Sequence, residues 1–106
     1  MGKLKYAIYG TNRVQKDFRY IFKEIDIICF FEDNNEESCC DIDGIAVLSS
    51  DMILEKRSCF DKIIICDFDK KQKSDNCESM GMLYNIDYVY ESDFFGLLDD
   101  ERIPKD

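Results

Sequence analysis

The first third of the chain follows a pattern that few folds can satisfy. Residues 5–9 and 26–31 are apolar and aromatic runs that predict two β-strands. Between them, apolar residues recur at helical spacing and predict an amphipathic helix: Val14, Phe18, Ile21 and Phe22. Gly10 directly follows the first strand, where a glycine permits a sharp turn into the helix. Two strands joined through a helix form a βαβ unit, which predicts neighbouring parallel strands in one sheet.

The turn after the first strand keeps one glycine of a three-glycine pattern. In units that bind dinucleotides, G-x-G-x-x-G lets the backbone turn, approach a pyrophosphate and pack closely against the sheet. The corresponding positions here are Gly10, Asn12 and Gln15. A side chain at Asn12 narrows the approach of a phosphate, and one at Gln15 opposes close packing of helix and strand. The sequence therefore indicates a nucleotide-binding type of fold, leaves the cofactor unknown and disfavours NAD in its usual pose.

Three more strands are predicted downstream, at Ile45–Leu48, Lys62–Asp67 and Tyr88–Tyr90. The second of these is a continuous apolar run of the kind that lies at the centre of a parallel sheet. Residues 34–43 are polar and acidic and predict a loop. Helices are expected over about 50–58 and 69–82, with a helical turn near 94–98. Their expected buried residues are Met52, Ile53, Leu54, Cys77, Met80, Leu83 and Phe94.

Strands that alternate with helices predict an α/β domain with right-handed crossovers. We expect a single half-Rossmann domain of three layers, with a parallel sheet in the strand order 3-2-1-4-5. The Rossmann-like domain is expected to cover residues 1–98, and the polar residues 99–106 to form a flexible tail or the stump of a linker. A chain of 106 residues has room for one domain of this size.

The chain is acidic, with a net charge of −9 and a pI near 4.4. Nucleic acids and anionic membranes are bound chiefly through Lys and Arg, so neither is an expected partner. The first 23 residues hold six basic residues against one acidic residue, so a bound anion is expected near the first helix. No run approaches the ~20 apolar residues of a membrane span. No apolar leader follows Met1, which predicts a cytoplasmic protein.

The six cysteines predict neither a disulfide framework nor a metal site. Cys29 and Cys66 lie within apolar strand runs, where a thiol packs as a small hydrophobic group. Cys39 and Cys40 are adjacent and the chain has no histidine, so the spacing of a zinc site is absent. The acidic loop around this pair disfavours the thiolate and therefore a redox role.

The candidate site lies where the strands are expected to end. Ligands of parallel α/β sheets bind outside the carboxyl ends of the strands, at the point where the winding reverses. Seven residues fall at that edge: Gly10, Thr11, Asn12, Arg13, Glu32, Asp33 and Asp67. The first helix presents N–H groups there, which makes the guanidinium of Arg13 a candidate partner for a phosphate. Glu32 and Asp33 stand where carboxylates accept hydrogen bonds from ribose hydroxyls.

Each of these residues also has a purely structural interpretation. The glycine fits any sharp turn from strand to helix, the arginine can simply point to solvent, and Thr11 or Asn12 can cap the helix. The two acids after the second strand are common in solvated turns, and Asp67 can cap the following helix. No catalytic residue and no metal ligand is predicted.

Four segments in order carry a family resemblance: Tyr6–Gly10, Cys29–Asn34, Asp43–Ser49 and Asp61–Cys66. They resemble the amino-terminal domain of bacterial sugar acetyltransferases of the sialic-acid and bacillosamine type, and of related polysaccharide-biosynthesis enzymes. The resemblance implies a Rossmann-like domain that binds a nucleotide-sugar with its glycine turn and its acidic turn. In that family, acetyl-CoA and the catalytic histidine belong to a carboxyl-terminal β-helix of hexapeptide repeats. This chain has neither such repeats nor a histidine, so no transferase chemistry is expected in it.

The leading hypothesis is therefore a noncatalytic domain that recognises a nucleotide or a nucleotide-sugar within a larger sugar- or polysaccharide-modifying enzyme. Its expected partners are that small molecule and other domains or subunits of the enzyme. The alternative is a degenerate Rossmann-like module that binds no ligand and serves protein–protein contact or assembly, which the missing glycines favour. A complete oxidoreductase is disfavoured because the chain has no second lobe and no obvious proton-transfer residue.

Overall fold

The computed structural model describes residues 4–33 and 41–94. This part of the chain forms six strands: β1 (Lys5–Tyr9), β2 (Asp26–Glu32), β3 (Asp41–Ile42), β4 (Ile45–Ser49), β5 (Lys62–Ile65) and β6 (Tyr88–Tyr90). The helices are α1 (Arg13–Ile21) and α2 (Lys70–Ser79), with 3₁₀ turns at Ser50–Met52 and Arg57–Cys59. Residues 91–94 are also helical. All five predicted strands are confirmed close to their expected bounds.

The strands form one sheet in the order β3-β4-β2-β1-β5-β6. β1 lies parallel between β2 and β5, so Ile8 is paired with Phe30 on one side and with Ile64 on the other. β4 and β6 extend the sheet with parallel pairing, whereas β3 pairs with β4 antiparallel. The sheet is therefore mixed, and the prediction of an entirely parallel sheet with the order 3-2-1-4-5 is wrong at this edge. The five parallel strands follow one another as expected.

The additional strand comes from a tight hairpin. Asp43 and Gly44 adopt positive φ angles of 52° and 82°, and they join Ile42 of β3 to Ile45 of β4. Two successive residues with positive φ are the mark of a type I′ turn, for which Asp-Gly is a favoured sequence. The turn signal therefore outweighs the acidic composition that predicts a loop up to residue 43.

Helices cover both faces of the sheet, which confirms the three layers. On one face, Phe18 of α1 packs in a buried cluster with Ile64 of the interior strand β5. On the other face, Cys77 of α2 packs in a cluster with Ile63 and Ile65. β5 lies between β1 and β6, and all three of its isoleucines are fully buried, as an interior strand of a parallel sheet requires.

Some details of the predicted helices are wrong. The helix expected over 50–58 is a pair of 3₁₀ turns, because Ile53 is the only buried residue between positions 50 and 59 and one residue cannot anchor a longer amphipathic helix. Leu54, expected in the core, is 55% exposed. Ile21 ends α1 and Leu83 follows α2, so both lie past the part of the helix that covers the sheet and are exposed.

Several predictions concern residues outside the described ranges, namely most of the loop over 34–43 with the pair Cys39 and Cys40, the helical turn beyond residue 94, and the tail at 99–106. In the described ranges, Cys29, Cys66 and Cys77 are buried thiols and Cys59 is an exposed one. No helix of the described chain has both the length and the apolar composition needed to cross a membrane.

Candidate functional site

Aromatic and acidic side chains meet where the parallel strands end. Tyr9 is the last residue of β1 and Glu32 is the last residue of β2, with Asp33 directly after it. Asp67 follows the end of β5. Because the carboxyl ends of parallel strands share one edge of the sheet, these side chains converge at the edge predicted for the site.

A lysine from α2 occupies the centre of this group. Its Nζ lies 3.2 Å from Oε2 of Glu32, 3.3 Å from Oδ2 of Asp33 and 2.9 Å from Oδ2 of Asp67. The lysine is Lys73, and its Nζ also lies 4.6 Å from the centre of the Tyr9 ring, a cation–π distance. Its side chain is only 4% exposed, whereas the three carboxylate side chains are 18–26% exposed. We call Lys73 and the three carboxylates the lysine cluster.

The position of Lys73 follows from how α2 begins and packs. Asp69 caps the helix, since its Oδ1 accepts a hydrogen bond from the N–H of Gln72 at 3.2 Å. Lys73 and Cys77 lie four residues apart and therefore on the same face of α2. Cys77 is fully buried against the sheet. Its packing carries Lys73 over the ends of the strands, where the acids lie.

The turn at Gly10 and Thr11, which we call the glycine turn, is closed around the carboxylate of the chain's own Glu32. Gly10 has a φ of +127°, and a Cβ there would lie 2.1 Å from the carbonyl oxygen of Cys66, so only glycine fits. Beyond it, the N–H and the hydroxyl of Thr11 donate hydrogen bonds to Oε1 of Glu32, at 3.2 and 2.7 Å. Oε2 of Glu32 accepts from the N–H of the next residue at 2.9 Å and from the lysine at 3.2 Å. Four donors thus surround this one carboxylate.

Asn12 and Arg13 serve α1 itself. Oδ1 of Asn12 accepts a hydrogen bond from the N–H of Val14 at 2.9 Å, which makes Asn12 the N-cap of the helix. The side chain of Arg13 is 82% exposed, and its Nε lies 3.8 Å from Oδ2 of Asp17, one turn along. The structure does not bring either side chain to the lysine cluster. A role of Arg13 in binding phosphate stays a prediction.

A second polar network leads from the lysine cluster to an open groove. The hydroxyl of Tyr9 donates to Oδ1 of Asp33 at 2.5 Å, and the hydroxyl of Ser50 donates to the same oxygen at 2.7 Å. The side-chain amide of Asn76 donates to the hydroxyl oxygen of Tyr9 at 3.1 Å. These four residues line a groove of about 750 Å³ between α2 and the Ser50–Met52 turn. We call it the polar groove; its other lining residues are Ser49, Asp51, Leu54, Gln72, Ser79 and Met80.

Burial and hydrogen bonding move the pKa values of these groups away from neutrality. Burial raises the pKa of Tyr9 to about 12, assisted by the hydrogen bond to Asp33. Burial also acts to raise the pKa of Asp33, but hydrogen bonds from Tyr9 and Ser50 and the charge of Lys73 hold it below its ordinary value. The pKa of Asp67 is lowered by the hydrogen bond from Lys73, against the effect of burial. Burial acts to lower the pKa of Lys73, but its carboxylate partners raise it overall.

The structure brings five of the seven predicted residues to this edge: Gly10, Thr11, Glu32, Asp33 and Asp67. Sequence reasoning missed Lys73 at the centre, as well as Tyr9, Ser50 and Asn76. A signal for the lysine exists, because three acids at neighbouring strand ends need a nearby cation when they are partly buried. The helix that follows β5 offers one at the position four residues before a buried cysteine.

Within residues 4–33 and 41–94, no group of three or more His, Cys, Asp or Glu side chains is arranged to hold a metal ion. No protein-family model and no curated protein matches the chain.

Proposed function

We propose that this domain recognises a nucleotide or a nucleotide-sugar without catalysing a reaction itself, as part of a larger sugar- or polysaccharide-modifying enzyme. The observation that carries the proposal is the polar groove, which opens at the carboxyl edge of the parallel strands. This edge is where α/β domains bind small ligands. The sequence resemblance to the amino-terminal domains of bacterial sugar acetyltransferases supplies the ligand class and the larger enzyme.

The groove has a chemistry that suits hydroxyl groups. It is lined by the carboxylate of Asp33, the hydroxyls of Ser49 and Ser50, and the side-chain amides of Gln72 and Asn76. Hydroxyls of ribose or of a hexose both donate and accept hydrogen bonds, so they match such a mixed set. The volume of about 750 Å³ lies within the range of roughly 300–1,000 Å³ that is common for small-molecule sites.

The ionisation of the site favours binding over proton transfer. A general acid or base works best when its pKa lies near the operating pH. Here the pKa of Tyr9 is raised to about 12, that of Lys73 is raised, and those of Asp33 and Asp67 are lowered. Each of these groups therefore keeps one charge state around neutral pH, which supports a recognition role.

Isothermal titration calorimetry of the full chain with UDP-glucose, and with NAD for comparison, tests the proposal. We expect saturable heat with UDP-glucose and none with NAD. Ser50→Ala should weaken binding by about 1 kcal/mol, because it removes a hydroxyl that lines the groove. Ser58→Ala is the matched control, since Ser58 is an exposed serine in the other 3₁₀ turn, outside the groove. It should leave the affinity unchanged.

Two results would count against the proposal. Equal affinities for Ser50→Ala and Ser58→Ala would remove the groove as the binding site. The absence of binding to a broad panel of nucleotides and nucleotide-sugars would overturn the recognition role. That outcome would favour the second candidate, a contact module without ligand, for which the exposed Leu83 and Ile86 before the edge strand β6 are the supporting observation.

A further inference from the structure

We propose that Glu32 acts as a built-in anion that closes the glycine turn to phosphate. The polar groove then takes the hydroxyl-bearing sugar or nucleoside part of a ligand, and the ligand's phosphate does not occupy the turn. The exclusion of phosphate follows from the turn alone. Only the claim that the groove takes the hydroxyl-bearing part of a ligand rests on the proposed function.

The donors around Glu32 are of the kinds that hold a phosphate in a glycine-rich turn. They are two backbone N–H groups, one hydroxyl and one lysine ammonium, at distances of 2.7–3.2 Å from the two carboxylate oxygens. Glycine-rich loops that bind nucleotides hold phosphate with backbone N–H groups and a lysine, and a hydroxyl can donate to an anion as well. In this chain a side chain at the end of β2 occupies the donors instead.

Electrostatics act against displacement of Glu32 by a phosphate. Lys73 is the only cation within ion-pair distance of the three carboxylates in the described chain, so the lysine cluster already carries more negative than positive charge. A phosphate at the turn would place further negative charge beside Asp33 and Asp67. It would also take from Glu32 the hydrogen bonds that compensate for its partial burial.

The polar groove and Lys73 lie on opposite sides of the Asp33 carboxylate. Oδ2 of Asp33 faces Lys73, whereas Oδ1 accepts hydrogen bonds from Tyr9 and Ser50, which line the groove. A ligand in the groove therefore meets hydroxyl, amide and carboxylate groups without entering the turn. Hydroxyl groups of a ligand can therefore bind beside Oδ1 of Asp33 in the polar groove, while the ligand's phosphate stays outside the glycine turn.

Titration of the full chain with inorganic phosphate, followed by the NMR signal of the Thr11 amide, tests the role of Glu32. Glu32→Gln removes the charge and keeps the size of the side chain. Asp67→Asn is the matched control, since it removes the same charge beside Lys73, whereas the hydrogen bonds of Thr11 go to Glu32. We expect no saturable shift in the parent, and in Glu32→Gln an affinity for phosphate roughly tenfold above that of Asp67→Asn.

Two outcomes would overturn the proposal. One is a saturable phosphate-dependent shift of Thr11 in the parent chain. The other is an equal gain in both variants, which would mean that net charge alone controls access. If Glu32→Gln does not fold, the parent decides through its affinities for uridine and UMP: we expect them to be similar, and UMP binding roughly tenfold tighter would overturn the proposal. If neither compound binds, the broad panel of nucleotides and nucleotide-sugars decides the proposed function, while the phosphate titration of the parent chain still tests Glu32.

Discussion

Replacing Lys73 by methionine would separate the charge of the lysine cluster from its packing. Methionine keeps a long apolar side chain, which can fill the space beside Tyr9 and close to Gly10, where Cε of the lysine lies 3.6 Å from the position that a Cβ would take. The change removes the ammonium that lies within 3.3 Å of three carboxylates. The variant therefore leaves these carboxylates partly buried and without a cation.

The cost of this change can be estimated from the burial of the cluster. Removal of one partner from a buried ion pair typically costs about 3–5 kcal/mol. The carboxylate side chains here are 18–26% exposed, so water compensates in part and we expect a loss near the lower end, about 3 kcal/mol at neutral pH. A domain has a free energy of unfolding of about 5–15 kcal/mol, so the variant should fold and unfold at lower denaturant concentration.

Urea unfolding followed by circular dichroism measures this loss. Lys71→Met is the matched control, because Lys71 lies on the same helix with an 84% exposed side chain and pairs with Asp75 at 3.0 Å. Solvent screens such an exposed pair, so the control should change stability little. A loss below about 1 kcal/mol for Lys73→Met would refute the argument that the carboxylates depend on a buried cation. Equal midpoints for the two variants would refute it as well.

Two further predictions concern the glycine turn and the dependence on pH. Gly10→Ala should lower the free energy of unfolding by about 3–5 kcal/mol through left-handed strain and overpacking. The control is Gly81→Ala, which has a φ of +87° but no heavy atom within 4 Å of the added Cβ, and should cost about 1–2 kcal/mol. Equal losses of Tm would contradict a role for the close approach of Gly10 to the backbone of Cys66. The pKa of Asp33 is lowered in the fold, so its contribution to stability is present above its unfolded pKa and is lost as the pH falls through its folded pKa. In urea unfolding, Asp33→Asn should therefore lose less free energy of unfolding relative to the parent chain as the pH falls from about 5 toward 2. A loss that does not change with pH would contradict the lowered pKa of Asp33.

Much of the fold can be predicted because the strands differ sharply from the segments around them. The run of isoleucines in β5 can satisfy its burial only between other strands, and it is found there. The edge of the sheet is harder, since Asp41–Ile42 is too short to show any periodicity and only the Asp-Gly turn marks the hairpin. The helix prediction over 50–58 is wrong for another reason. With one buried residue in the segment, the sequence favours a helix and a 3₁₀ turn almost equally.

The candidate site is predicted less completely than the fold. The acids and the glycine turn can be located from the chain because each lies at the end of a strand or within two residues of it, and strand ends set their positions. Lys73 comes from the middle of a helix whose charged residues look like a solvated face in the sequence. Its burial depends on the rotation of α2 about its axis, which the packing of Cys77 fixes in three dimensions. Local sequence patterns do not encode that rotation strongly in a weakly amphipathic helix.

Asp33 joins the two parts of the site, and this has a consequence for how they function. Its Oδ2 pairs with Lys73, while its Oδ1 accepts the hydroxyls of Tyr9 and Ser50 at the groove. The lysine thus helps to keep the carboxylate ionised, so that Oδ1 is an acceptor around neutral pH before any ligand arrives. Because one carboxylate serves both the lysine cluster and the groove, a change of Asp33 alters stability and binding together. A change of Ser50 or Asn76 leaves the ion pairs of Lys73 in place, and these are therefore the residues through which binding in the groove can be measured on its own.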